Sequence, residues 1–149
     1  RADEPGEVII QSHLADHPLL IQLTEQGYFA FAEQALNERR AAGLPPYTYM
    51  ALLRAEAVHA QHADDFLQDA RSLSDQLLAH YQLHHLEVLG PVAAPMERRA
   101  GRYRAQLLLI ANQRKELHQL LRALCFNLEQ LASSRQVRWS VDVDPIDLF

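Results

Sequence analysis

Four arginines and one tyrosine crowd the segment Glu97-Arg98-Arg99-Ala100-Gly101-Arg102-Tyr103-Arg104. A guanidinium is planar, keeps its charge at any physiological pH and donates hydrogen bonds in pairs, which suits it to phosphate oxygens. Tyr103 offers a ring on which an unpaired base can stack, an interaction worth about 1–3 kcal/mol per base in single-strand binders. If all four arginines touched phosphate, single-strand binding would fall with salt at a log–log slope of roughly −0.7 per contact. Pro95 and Gly101 break the backbone here and place the cluster between two strands. Arg138 lies on the opposite side of its segment from Trp139 and is a further candidate for nucleic-acid contact. The same pattern also fits a solvated hairpin tip or ion pairs to carboxylates elsewhere in the chain.

Other residue types lead to less. His59/His62 and His80/His84 have spacings that can share a metal on a helix, but no cysteine joins them and no His-Glu-x-x-His pattern occurs. No metal site is expected. Cys125 falls on an apolar helical stripe with no base at a recognisable position, so packing is its expected role. Asp142, Asp144 and Asp147 invite a magnesium reading, but alternation sets Asp142 and Asp144 on the outer face of a terminal strand, where solvation suffices. Trp139 shares a face with Val137, Val141 and Val143 and is expected to pack in the core. No phosphate-binding Gly-rich loop, Gly-x-Ser-x-Gly or carboxylate pair is present, so no catalytic residues or bound cofactor are expected in this segment.

The chain has 149 residues, 48% of them hydrophobic, which suits one domain plus an appendage with a real core. No apolar run reaches the roughly 20 residues that span a bilayer, and there is no signal-peptide pattern. One cysteine excludes an internal disulfide framework, and the cytoplasm is the expected compartment. The net charge of −5 hides an asymmetry. Residues 1–89 carry 5 Lys/Arg against 13 Asp/Glu, whereas residues 90–149 carry 9 against 6. A basic face sets phosphate affinity; the whole-chain average does not.

These side chains need positioning elements, and the periodicities supply them. Gly6–His13 reads as a short buried strand through Val8, Ile9 and Ile10. Pro18 fits the first position of a helix that continues through Tyr28, Phe31, Ala35 and Arg39 to Gly43. Pro45-Pro46 sets the expected boundary, with an arm over residues 1–46 and a domain over residues 47–149. The domain reads as strand (Tyr49–Val58), helix capped by Asp64 or Asp65, short strand (Leu86–Leu89), strand (Tyr103–Ala111), helix capped by Asn112, and strand (Gln136–Val143). The class is α+β, and the order βαββαβ predicts a ferredoxin-like split βαβ domain with two helices on one side of an antiparallel sheet.

Five runs carry a family resemblance in one order: Arg1-Ala2 with Pro5-Gly6-Glu7-Val8, Phe29 to Tyr47, Leu89-Gly90-Pro91-Val92-Ala93-Ala94-Pro95, Gly101 to Leu109, and Val137 to Pro145. Together the chain resembles the C-terminal part of the bacterial primosomal helicases of the PriA (primosomal protein N′) family. In that family a Gly-Arg-Ala-Gly-Arg-Ala run ends the last helicase motif, and Arg1-Ala2 matches its final two residues. The missing initiator Met agrees with a fragment. The resemblance implies that residues 1–46 are a strand-helix remnant of the second RecA-like helicase lobe. It implies that the domain is similar to a small-subunit ribosomal protein.

It also implies partners: single-stranded and forked DNA, the acidic C-terminal tail of single-stranded DNA-binding protein (SSB), the upstream helicase lobes and other primosome proteins, near the nucleoid. The family pattern for the SSB tail has an Arg and, four residues later, a Gln. Arg114 matches the Arg and His118 stands in place of the Gln, both on one face of a helix start. Histidine still donates a hydrogen bond but belongs to a residue type that changes charge near neutral pH. ATP, magnesium and zinc are implied for the whole helicase and not for this segment. The basic loop has a further reading on this footing, as a docking surface for the helicase lobes. Cut from its sheet, the Val8–Ile10 segment is expected to fray or self-associate.

Overall fold

The computed structural model describes residues 6–146. The Arg1-Ala2 match and Asp147 lie outside them. The chain forms two compact units, residues 1–42 and residues 43–149.

In the first unit, α1 (Pro18–Gln26) and α2 (Tyr28–Ala41) pack on each other. His17 caps α1, its Nδ1 accepting from the Leu19 backbone N–H at 3.3 Å, and Pro18 takes the first helical position as expected. The continuous helix expected from Pro18 onward is broken at Gly27, whose φ of 83° lies outside the helical region. The strand expected over Gly6–His13 is not formed. Val8 and Ile9 are 86% and 84% exposed. A buried parallel strand exists only with neighbours to receive its N–H and C=O groups, and no strand of this chain pairs with it among the described residues.

The second unit runs β1 (Tyr49–Ala57), α3 (Ala60–Tyr81), β2 (Leu86–Arg99), β3 (Arg102–Ala111), α4 (Arg114–Leu128), a 3₁₀ turn (Ala132–Gln136) and β4 (Arg138–Val143). The four strands make one antiparallel sheet in the order β2-β3-β1-β4. Both helices cover one face. Ala51, Leu53, Ala55 and Ala57 of β1 and Ala105, Leu107 and Leu109 of β3 meet Phe66, Leu67 and Ala70 of α3 and Leu117, Leu120, Leu121, Leu124 and Leu128 of α4 in one core. Small residues on β1 and large ones on the helices let the two layers interdigitate at interior density. Trp139 of β4 reaches the same side and stacks on Phe66, with ring centroids 6.1 Å apart.

Several boundaries differ from the sequence expectation, among them β4, which starts at Arg138 and not Gln136 because the 3₁₀ turn takes Gln136. α3 starts at Ala60 behind His59, so Asp64 and Asp65 fall inside the helix and not at its cap; the apolar stripe begins with Ala63, one turn before Phe66. α4 is entered through Gln113, without a side-chain cap from Asn112 or from Gln113 itself. β2 does not stop at Leu89 but continues to Arg99, with register shifts between Leu89 and Val92 and between Ala93 and Arg98. β2 is an edge strand, where bulges absorb Pro91 and Pro95 without breaking a central ladder.

Gly90 makes the first of these bulges possible. At its φ of +102° a Cβ would sit 3.0 Å from the Gln106 carbonyl oxygen and 3.1 Å from the Val92 nitrogen, both backbone atoms. Arg71 Nη1 donates to the Gly90 carbonyl at 3.1 Å and ties α3 to the bulge. Gly90→Ala is expected to destabilise the domain by about 2–3 kcal/mol, the range for a strained backbone conformation plus a contact that cannot relax. Urea denaturation of the two proteins measures it.

Candidate functional site

Alternation in β3 sends Ala105, Leu107 and Leu109 into the core and Arg102, Arg104 and Gln106 to the sheet face opposite α3 and α4. The strand pairing extends that face. Glu56 lies between Arg104 on β3 and Arg138 on β4, and Arg54 lies between Gln106 and Ser140. Arg99 pairs with Arg102 across the β2–β3 hairpin. Five arginines from four strands therefore share one end of the open face: Arg54, Arg99, Arg102, Arg104 and Arg138. At the other end Met50 and Leu52 are buried, 2% and 1% exposed. The polar end holds a groove of about 480 Å3 lined by Arg54, Glu56, Pro95, Arg99, Arg104 and Gln106 among others.

Two carboxylates sit among these cations. Arg104 Nε donates to Glu56 Oε1 at 3.0 Å, and Arg54 Nη1 donates to Asp142 Oδ2 at 2.7 Å. Both pairs are partly exposed and fix the arginines' positions more than they stabilise the fold. Among the described residues no carboxylate pairs with Arg99, Arg102 or Arg138. The face keeps a net positive charge.

The cluster of arginines around one tyrosine does not form a single surface. Arg98 pairs with Tyr103, so both point to the helix side of the hairpin. There the Arg98 guanidinium lies 5.2 Å from the centre of the Tyr103 ring, and Tyr103 lines a small cleft with Ala60, Ala63 and Asp64 of α3. Neighbouring residues on a strand face opposite ways, which separates Tyr103 from Arg102 and Arg104. The turn is the two-residue type that twists with the strands, with φ of 49° at Ala100 and 78° at Gly101.

α4 carries the second candidate. Arg114, His118 and Arg122 stand on one row of the helix with Lys115 and Gln119 on the adjoining one, and these five residues line a groove of about 570 Å3. All five are exposed. Arg114 Nη2 donates to Asp144 Oδ2 at 2.9 Å, and its guanidinium lies 5.6 Å from the Tyr49 ring centre. Asp142 and Asp144, expected as solvated carboxylates, are both ion-paired, because the strand register and the turn after β4 bring them to Arg54 and Arg114. Lys115 and Arg122 were not singled out by sequence; the helical rows through Arg114 and His118 were the signal that finds them.

His59 and His62 rings lie 5.2 Å apart, and among the described residues no three His, Cys, Asp or Glu side chains gather to hold a metal ion. With a single cysteine, this segment does not supply the ligands of a cysteine-rich zinc site. Burial, with Glu129 nearby, pushes the Cys125 thiol up from its ordinary range, which suppresses the thiolate. No helix among the described residues is long and apolar enough to cross a membrane.

Residues 40–146 match the family model described as "Primosomal protein N C-terminal domain". The chain belongs to that family. Its similarity to curated proteins extends across nearly all of it. The replication restart protein PriA of Haemophilus influenzae is 42% identical over 148 residues, covering 99% of this chain and 20% of that protein. PriA of Synechocystis is 36% identical over 109 residues, covering 73% and 13%, and PriA of Bacillus subtilis is 29% identical over 150 residues, covering 97% and 18%. The chain thus spans about a fifth or less of the length of these relatives.

Proposed function

We propose that this PriA C-terminal domain is the DNA-holding and partner-binding end of an ATP-dependent 3′-to-5′ replication-restart helicase that works in the cytoplasm and assembles the primosome. The observation that carries the reading is the open sheet face with Arg54, Arg99, Arg102, Arg104 and Arg138 at one end. Phosphates of a single strand lie along this row, held by Arg99, Arg102 and Arg138, while Arg54 and Arg104 keep the row in place through their carboxylate partners. Arg98 and Tyr103 flank the hairpin tip and meet the strand where it leaves the face. Arg114 and His118 on α4 receive the acidic tail of SSB, with the uncapped first turn of α4 adding N–H groups and a favourable field for a carboxylate.

The sheet order, with β3 between β1 and β2 and β4 beside β1, supports reading the domain as ferredoxin-like. Helices α1 and α2 are the end of the second helicase lobe and its linker. ATP, magnesium and zinc belong to the parts of the helicase that the longer relatives carry beyond this segment.

Fluorescence anisotropy against labelled single-stranded DNA at two salt concentrations tests the reading. The comparison protein has Arg98, Arg99, Arg102 and Arg104 changed to alanine. Salt-sensitive binding that disappears in the variant supports a DNA-holding module. A folded wild-type chain that binds nothing removes it. One observation favours a second reading, a structural domain that packs against the helicase lobes: Arg54 and Arg104 are already satisfied inside the fold.

A further inference from the structure

The open face offers arginines to phosphate, but Tyr103 points to the other side of the hairpin, so the bases need a different contact. Between the pairs Ala93–Ala105 and Arg98–Tyr103, the four residues 94–97 of β2 stand opposite Arg104 alone. An edge strand with this surplus arches out of the ladder, and Pro95 within the arch has no N–H to return to it. The arch leans over the sheet. Ala94, Pro95 and Met96 line one groove with Arg54 and Glu56 of β1 and Ser140 of β4, although β3 separates β2 from β1. Ala94 is buried beneath the arch, whereas Met96 is 57% exposed.

The groove is therefore a slot with an apolar overhang and a polar floor. Glu56 holds Arg104 and Asp142 holds Arg54, which fixes the charged groups of the floor in place. Gln106 and Ser140 add groups that both donate and accept hydrogen bonds. Its volume of about 480 Å3 falls within the range of small-molecule pockets and leaves room for one nucleoside. Among the described residues no aromatic ring lines the slot. The polarizable thioether of Met96 makes favourable contacts with rings, and its flexible chain adapts to rings of different size. Arg99 lines the slot and also belongs to the phosphate row, so a strand held along that row passes the mouth of the slot.

We propose that this slot holds one unpaired nucleobase of the bound strand, with Met96 packed on the ring and Arg54, Glu56, Arg104, Gln106 and Ser140 facing its polar edge. Resting on the DNA-holding reading of the open face, the slot adds a selectivity to it. A base inside a duplex has its edge paired and its faces stacked, so the slot accepts single strands only.

The test uses the whole chain and two labelled oligonucleotides of one length. One is an oligothymidylate; its twin carries tetrahydrofuran abasic units, which keep the phosphates and remove the bases. Wild-type protein is expected to bind the oligothymidylate more tightly than the twin. Met96→Ala is expected to weaken oligothymidylate binding about 2–10-fold, the scale of one thioether–ring contact, and to leave the twin within about twofold of wild type. Met96→Leu, which keeps an apolar overhang, loses less than Met96→Ala. Wild-type protein that does not distinguish the two oligonucleotides overturns the slot and leaves the phosphate row standing. So does a Met96→Ala loss that is absent, or that is shared by the twin or by a duplex of the same length. Wild-type protein that binds neither oligonucleotide overturns the DNA-holding reading and the slot with it. Met96 is exposed, and circular dichroism checks that each variant is folded.

Discussion

Phe66→Ala will destabilise the domain by about 3–5 kcal/mol, a large share of the roughly 5–15 kcal/mol that hold a domain together. Phe66 is 0% exposed and lies where α3 meets the sheet. Its neighbours in the core are mostly alanines and leucines fixed on β1, β3 and α3, and the sheet cannot collapse into the space a lost ring leaves. The Trp139 stack adds about 0.5–1.5 kcal/mol beyond the buried area and, with Val137 and Val141, packs the last strand against the core. Phe66→Leu, which keeps much of the volume, is expected to cost clearly less. Urea denaturation measures both. A Phe66→Ala loss under about 1 kcal/mol would mean that Phe66 is not buried in the core as described.

The second large effect concerns the open face. Changing Arg99, Arg102 and Arg138 together to alanine is expected to weaken single-stranded DNA binding roughly 100-fold at about 0.1 M salt. Three lost phosphate contacts, each releasing about 0.7 counterion, give that factor and make the log–log salt slope shallower by roughly 2. Among the described residues none of the three is held by a carboxylate, so their removal is expected to leave the sheet intact. Arg98→Ala/Tyr103→Ala removes a pair on the helix side of the same hairpin and is expected to cost only about 5-fold, the scale of one stacking contact at the low end. Equal losses from the two variants would place the strand around the hairpin tip and not across the sheet.

Much of the domain was legible in the sequence because its layers are strongly periodic. The stripe from Leu117 to Leu128 and the alternation from Tyr103 to Ala111 each specify one buried face, and both faces are found in one core. What the sequence left unread has particular causes. Pro91 looked like an end to β2, yet a bulge at Gly90 on an edge strand lets the pairing resume. Val8–Ile10 has the composition of a buried strand, but composition does not supply the partner strands that such a segment needs. The arginine cluster was visible as a run of letters, whereas its division between two faces depends on the pairing of Arg98 with Tyr103 and of Arg99 with Arg102. Arg54 joins the face only through long-range pairing with β3 and β4, which no local spacing reveals.

The most direct test of the account follows the arginine Nε–Hε resonances of the chain by NMR while a short oligothymidylate is added. The signals of Arg99, Arg102 and Arg138 are expected to shift together, saturate together and return on addition of salt, while that of Arg114 on α4, held by Asp144, stays in place. Shifts confined to Arg114 and Arg122, or none at saturating oligonucleotide, would contradict the claim that the open sheet face holds the strand.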